Sequence, residues 1–257
     1  MPIGPQRLLS AEVVLADLDG CLAIDNHPLP GAVDLARRLG SRLHIVSNNS
    51  TDTAERLSDV LAAGGIRIEA ARIHLAGEIL LRRLALERPG APVSLAAAGE
   101  MPALAERLGI LRRDEGAAIV ALCRDTGFDY DRLQVIARLL AKGAELWVAN
   151  PDMVHPGPDG LPVPETGSLL AAVHSVAPAA VPRIFGKPEA ALFQAALDAA
   201  RAKPQNAIML GDNPSTDVAG AEALGIPALL IGPHRDAIAR DLDSLLSLAL
   251  ETQGAIL

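Results

Sequence analysis

Short apolar runs, each stopping at a knot of polar residues, recur along this chain and leave few folds open to it. Val13-Val14-Leu15-Ala16 stops at Asp17, Leu43-His44-Ile45-Val46 stops at Ser47, and Ala207-Ile208-Met209-Leu210 stops at Gly211-Asp212. Ala228-Leu229-Leu230-Ile231 is a fourth such run. Continuous apolar runs, as opposed to alternating ones, predict strands buried on both faces, as in a parallel sheet. Segments with helical periodicity lie between them. Asp52 and Glu55 have capping-box spacing, Leu57, Val60 and Leu61 share one face, and Gly64-Gly65 ends the pattern. Pro188 suits a first helical position, with Leu192, Phe193, Ala196 and Leu197 facing inward. Strand-helix alternation of this kind predicts a doubly wound, Rossmann-like α/β fold with a parallel sheet.

The length, 257 residues, allows one large domain or two small ones. Further strands are expected at Pro92 to Leu95, Ala117 to Cys123 and Glu145 to Ala149, with helices between them. Trp147 lies on the last of these and is expected in the core. Asn150 to Gly167 is rich in Pro and Gly and reads as a long irregular connection, and Pro178 and Pro182 close the region. The expected organisation is a core of 1–76 and 182–257 carrying an inserted α/β unit over 77–181. No internal repeat or low-complexity segment interrupts it.

Composition narrows the function. Half of the residues are hydrophobic and only 2% aromatic, so Ala, Leu, Val and Ile must fill the core. The net charge is −8 with no basic run, which disfavours nucleic acid and anionic membranes as partners. An anionic ligand would need a local positive group or a cation. No stretch reaches the roughly 18 apolar residues of a membrane span. Arg7, Leu8 and Leu9 alone precede the return of charge, which makes no signal peptide. Cys21 and Cys123 fit no metal spacing and suggest a reducing compartment. A soluble, cytoplasmic protein is expected.

In open α/β sheets, ligands bind beyond the carboxyl ends of the strands. Polar clusters collect there: Asp17-Leu18-Asp19-Gly20, Ser47-Asn48-Asn49 and Gly211-Asp212-Asn213, with Gly186-Lys187-Pro188 opening a helix nearby. Singly, each has a plainer explanation. Asp-x-Asp-Gly is an ordinary Asx turn, and a calcium loop would need an acid where Pro28 stands. Ser47-Asn48-Asn49 could cap a helix, Lys187 could be solvated, and Asp212 and Asp217 could serve a helix N-terminus. Their joint occurrence in this order favours chemistry. Converging carboxylates repel unless a divalent cation neutralises them, and hard oxygen donors favour Mg²⁺. A lysine and a serine hydroxyl facing the same point would hold a phosphate. A metal-shielded Asp can attack phosphorus, and a second carboxylate two residues on can protonate the leaving oxygen.

These four clusters, the last extending through Pro214-Ser215-Thr216-Asp217, resemble the four motifs of the haloacid dehalogenase superfamily. Pro28-Leu29-Pro30-Gly31-Ala32, Asn150-Pro151-Asp152 and Gly167-Ser168-Leu169 narrow the resemblance to its class IIA, the NagD-like, p-nitrophenyl phosphatase and phosphoglycolate phosphatase group. It spans nearly the whole chain. The resemblance implies a phosphatase for a small phosphorylated metabolite, with Mg²⁺ as cofactor. Asp17 would be nucleophile and metal ligand. Asp19 would be the acid/base, its backbone carbonyl on the metal. Ser47 and the Asn48 amide would bind the phosphoryl group, Lys187 would neutralise it, and Asp212 would complete the metal site. Asp217 and Asn213 would support the metal shell from behind. The insert would be a cap that selects the leaving group, with Asn150, Asp152 and His155 as substrate contacts, and a surface through which relatives dimerise.

Three departures stand out. Ser47 replaces the commoner Thr. Cys21 replaces Thr or Val and suggests oxidation sensitivity. Ala76-Gly77 replaces a Ser-containing stretch before the cap, where the hinge is expected. The alternative function is a catalytically silent phosphometabolite-binding or regulatory protein on the same fold, which the intact Asp17/Asp19 pair disfavours. A receiver-like switch would be about half this length, and a phosphomutase would carry its large insert after the first motif.

Overall fold

A computed structural model describes residues 4–157 and 161–254 of the chain. They form two compact units. The first holds the chain up to Ser47, then Ala54–His74, then everything from Lys187 onward; the second holds Asn48–Thr53 and Leu75–Gly186.

The first unit is built on a five-stranded sheet in the spatial order Ala228–Leu230, Ala207–Gly211, Val13–Ala16, Leu43–Ser47, Ile73–Leu75. Val13–Ala16 pairs in parallel with both neighbours, Val13 opposite Ala207 and Val14 opposite Leu43. Every residue of the three central strands is buried, which is why their sequences do not alternate. The chain leaves Val13–Ala16 for one side of the sheet and later returns on the other. A crevice therefore opens at the carboxyl ends of Val13–Ala16 and Ala207–Gly211, where such sheets bind ligands.

The flanking helices bury the predicted faces: Leu57 and Leu61 in Ala54–Ala63, and Leu192, Phe193, Ala196 and Leu197 in Ala190–Ala200. Pro188 does not open its helix, which starts at Ala190 after Glu189. Pro188 instead packs against Gly220, where a Cβ would fall 2.7 Å from the Pro188 carbonyl oxygen, so the proline completes the preceding loop. A small hairpin, Ala23–Ile24 with His27–Pro28, escapes the sequence pattern. Asp25 and Asn26 turn it, both with positive φ, as a two-residue hairpin loop requires.

The second unit has its own five-stranded parallel sheet, ordered Pro182–Ile184, Glu145–Val148, Ile119–Leu122, Pro92–Ala96, Leu111–Arg112. Val120, Leu122, Leu146 and Val148 meet Ile136 and Val173 of the helices Tyr130–Ala141 and Thr166–Val176 in its core. Trp147 is buried as expected; its ring lies 5.1 Å from that of Phe185, its Nε1–H donates to Glu145, and the Arg183 guanidinium sits 4.4 Å above it.

Three expectations are corrected here. Pro182–Ile184 is a strand laddered to Glu145–Val148, so the inserted unit continues to Gly186 and does not end at 181. On its other side it starts at Leu75, and it also takes in Asn48–Thr53; Ala76-Gly77 opens the helix Ala76–Glu87 of this unit. The connection Asn150 to Gly167 is not irregular throughout. Val154–Pro156 and Pro162–Pro164 pair antiparallel, and the helix Thr166–Val176 begins inside it; residues 158–160 lie outside the described residues. Proline lacks the ladder donor and reads as loop, yet edge strands accommodate it. Among the described residues no helix is long and apolar enough to cross a membrane.

One buried polar pair belongs to the first unit's interior. His44 and His74 stack with ring planes 3° apart, Nδ1 of the first 3.2 Å from Nε2 of the second. Burial, then the Arg72 charge, lowers the His44 pKa to about 4; burial, then His44, does the same for His74. A depressed histidine pKa means that the unfolded chain binds protons first. Stability is therefore complete above about pH 6.5 and falls as pH drops toward 4, by roughly 3 kcal/mol at most for each histidine. Thermal melts from pH 7 to 4.5 should show this loss, and the double variant His44→Leu/His74→Leu should flatten it. An equal acid-side loss in that variant would assign the effect elsewhere.

Candidate active site

Within the first unit, the ends of the central strands bring together residues far apart in sequence. Asp17 follows Val13–Ala16 directly, its N–H bonded to the Leu210 carbonyl of the neighbouring strand. Asp212 follows Ala207–Gly211, and Asp217 lies in the wide, π-helical turn Pro214–Val218 just beyond. One carboxylate oxygen from each of Asp17, Asp212 and Asp217 lies within 4.8 Å of the others. Lys187 reaches into this group: its Nζ donates to Asp17 Oδ1 at 2.5 Å and to Asp217 Oδ1 at 2.6 Å. Lys187 and Asp217 are fully or almost fully buried.

Two glycines make the approach possible. A Cβ on Gly211 would run into the Asp217 carboxylate, and one on Gly20, which has φ of +91°, would run into Asp212 Oδ2. Asn213 shapes the turn, its side-chain oxygen accepting the Ser215 N–H and its own N–H donating to Asp217 Oδ2 at 3.1 Å. Both Asp217 oxygens thus hold protein donors. That arrangement fits a supporting carboxylate better than a direct ligand. Asp19 is exposed, and the Ser47 hydroxyl donates to its Oδ2 at a long 3.4 Å.

Electrostatics follow from this crowding. Burial raises the Asp17 pKa well above the usual carboxylate value, the Asp217 and Asp212 charges raise it further, and Lys187 opposes them. Asp212 is pushed up to about 6, by burial and then by Asp217. Burial works against the Lys187 charge, but Asp17 and Asp217 outweigh it and keep the ammonium protonated. With its carboxylates ionised, the group of three acids and one lysine carries two uncompensated negative charges. Asp212 Oδ1 is buried with no hydrogen-bond partner. An orphaned carboxylate oxygen in an all-oxygen donor set with two spare charges fits a hard divalent cation.

Cys21 departs from its expectation. It is fully buried, its Sγ 3.8 Å from the Leu210 carbonyl oxygen, and burial together with Asp17, Asp212 and Asp217 pushes its thiol pKa well up. A buried thiol that resists ionisation is a poor target for oxidants. His234, which sequence reasoning passed over, contacts the site's backbone through Nε2, 2.7 Å from the Asp212 carbonyl oxygen. Its only signal is a place just beyond the fourth apolar run.

The remaining candidates belong to the second unit. Asn48 donates through Nδ2 to Asp152 Oδ2 at 2.9 Å. Asn150 is completely buried, with both ends of its amide engaged inside the unit, which excludes it as a substrate contact. His155 is half-buried, its Nδ1 2.7 Å from Glu165 Oε1. Burial raises the Glu165 pKa, against the pull of Arg124 and His155.

Comparison with known proteins agrees with this geometry. A family model for haloacid dehalogenase-like hydrolases matches residues 14–110, and a HAD-hydrolase-like model matches residues 184–242. The chain is 28% identical to dihydroxyacetone phosphatase of Corynebacterium glutamicum over 221 residues, 84% of this chain and 79% of that protein. It is 32% identical to D-glycerol 3-phosphate phosphatase of Mycobacterium tuberculosis over 227 residues, 86% of this chain and 62% of that one. NagD from Escherichia coli K-12 superposes with a TM-score of 0.79 at 22% identity, covering 91% of this chain and 97% of NagD. A glycerol phosphate phosphatase from M. tuberculosis, solved with magnesium and also with calcium, gives 0.81 at 24% identity, the magnesium complex covering 94% of this chain and 78% of its own. The chain belongs to the haloacid dehalogenase-like hydrolases and is a phosphoric monoester hydrolase of that family, with the fold of its NagD-like branch.

Proposed function

We propose that this protein is a Mg²⁺-dependent phosphatase for a small aliphatic phosphate of the glycerol or triose phosphate class, working through an aspartyl-phosphate on Asp17. The observation that carries the proposal is the pairing of Asp17 with Lys187 beside the orphaned oxygen of Asp212. The activities of the two relatives support the substrate class, and the scarcity of aromatic residues leaves little with which to stack a base.

Asp17 and Asp212 would hold the cation, joined by the Asp19 carbonyl, with Asp217 and Asn213 fixing the loop behind them. When bound, the cation neutralises the carboxylates and the phosphoryl oxygens that approach them. Lys187, the Ser47 hydroxyl and the Asn48 amide take the phosphoryl group, offsetting a chain charge of −8 at the one point where an anion must enter. A carboxylate oxygen of Asp17 attacks phosphorus while the bond to the leaving oxygen breaks, and Asp19 gives that oxygen its proton. Asp19 then takes a proton from water, the water oxygen attacks phosphorus, and the bond to Asp17 breaks to release inorganic phosphate. The Lys187 ammonium stays protonated throughout.

Hydrolysis of p-nitrophenyl phosphate should require Mg²⁺ and stop with EDTA. Asp17→Asn should lower kcat by roughly 10⁴-fold or more, and retained turnover would remove Asp17 from the nucleophile's role. Asp19→Asn should cost glycerol phosphate about 10²- to 10⁴-fold, and p-nitrophenyl phosphate much less, because nitrophenolate leaves without a proton. Equal losses on both esters would argue against Asp19 as the acid. Lys187→Met leaves Asp17 and Asp217 buried without their cation, at a cost of about 3–5 kcal/mol. Its melting temperature should rise on adding Mg²⁺ by more than the wild type's, and an equal rise would argue against a metal beside these carboxylates.

A further inference from the structure

We infer that Asn150 is a positioning residue for the phosphate-binding groups, tying together inside the second unit the two chain segments that lead into Ser47 and Lys187. The inference rests on the roles proposed above for Ser47, Asn48 and Lys187. Asn150 Nδ2 donates to the Asn48 carbonyl at 2.6 Å and to Thr166 Oγ1 at 3.2 Å, and its Oδ1 accepts the Asp152 N–H at 3.1 Å. Asp152 in turn accepts from Asn48 Nδ2. Asn48 is therefore held at two points, its carbonyl by Asn150 and its side chain by the residue that Asn150 orients. Ser50 is held as well, its Oγ 3.2 Å from Thr166 Oγ1 and accepting the Arg124 N–H.

The second segment arrives at the same residue. Gly186 donates its N–H to the Ala149 carbonyl at 2.7 Å. A Cβ on Gly186 would lie 3.0 Å from Asn150 Cβ and would collide with Asn48 Oδ1, so the Gly186 backbone rests against both asparagines. Ser47 precedes Asn48 and Lys187 follows Gly186 in the chain. The Asn150 amide thus holds the first segment by hydrogen bonds, the second packs against its Cβ and bonds to the preceding residue, and the amide's chemistry is specific. It donates twice and accepts once, whereas a carboxylate of the same shape would turn an oxygen toward the Asn48 carbonyl. Because Asn150 is completely buried and engaged at both ends, it acts through Asn48 and Gly186 and not on substrate.

Asn150→Asp, which keeps the shape, and Asn150→Ala test this in the full chain with Mg²⁺. Three quantities are read: turnover of p-nitrophenyl phosphate and glycerol phosphate, inhibition by inorganic phosphate, and amide hydrogen exchange. Displacing the phosphate-binding groups should lower kcat on both esters by about 10²-fold, weaken inhibition by inorganic phosphate, and leave the ratio of kcat/KM between the two esters unchanged. Exchange should accelerate at Asn48–Thr53, with the rest of the second unit retaining its protection. Thr166→Val, which removes one acceptor of the same amide, should move each quantity in the same direction by less. A changed ester ratio with unchanged phosphate inhibition would make Asn150 a substrate contact and overturn the inference. A lowered melting temperature with kcat, inhibition and exchange all as in the wild type would make it merely structural, and overturns it equally. If the wild type neither hydrolyses esters nor binds phosphate with Mg²⁺, the functional proposal fails; the exchange experiment then decides the tie alone, and unchanged protection at Asn48–Thr53 would refute it.

Discussion

The Lys187 ammonium between Asp17 and Asp217 is the contact on which the candidate site depends. Three carboxylates drawn within 4.8 Å of one another inside a protein would repel and take up protons if left alone. The lysine relieves two of them and keeps its own charge because they surround it. It relieves the third only in part, its charge favouring ionised Asp212 but outweighed there by burial and by Asp217. Asp212 is left with a buried, unpartnered oxygen, so the site as folded is one positive charge adequate for structure and one cation short of electrical balance. Pairing enough acids to fold while leaving enough charge unpaired to suit a divalent cation is a single constraint, and the two glycines that admit the carboxylates serve it directly.

The second unit meets a different constraint. Its sheet and core are separate from those of the first, yet it includes Asn48–Thr53, a six-residue segment that lies between two parts of the catalytic unit in sequence. The chain therefore passes between units right after Ser47 and right before Lys187. Bonds with Asn150, Asp152 and Thr166 hold the first passage, and the Ala149 carbonyl holds Gly186 at the second, where its backbone packs against Asn48 and Asn150. The second unit thus has a direct hold on the segment that follows Ser47.

The parallel sheet, the aliphatic core and the acid clusters at strand ends were legible because they are local. Four to five consecutive buried residues followed by an acid can be read without knowing any partner. Elements that break those rules were not legible. The hairpin of Val154–Pro156 and Pro162–Pro164 is spelled in prolines, Pro182–Ile184 is too short to announce a strand, and Asp25-Asn26 makes a turn within four residues of hairpin. Asn150 was legible as a polar residue after a strand, but a turn, a ligand contact and a buried tie share that signature. Only its burial separates them.

By itself the sequence determined which chemical groups are present, their order along the chain and the strand ends that carry them, because hydrophobic burial imposes its period on any sequence that must pay the entropy of folding. The tertiary structure alone decided which charges face each other. Lys187 stands 170 positions from Asp17, and no local pattern encodes that distance of 2.5 Å. It decided that Cys21 is sealed from oxidants, that Asp217 has both oxygens occupied and that Asp212 has one to spare. These are properties of desolvation and of pairing across the chain, and both exist only once the strands have closed into a sheet.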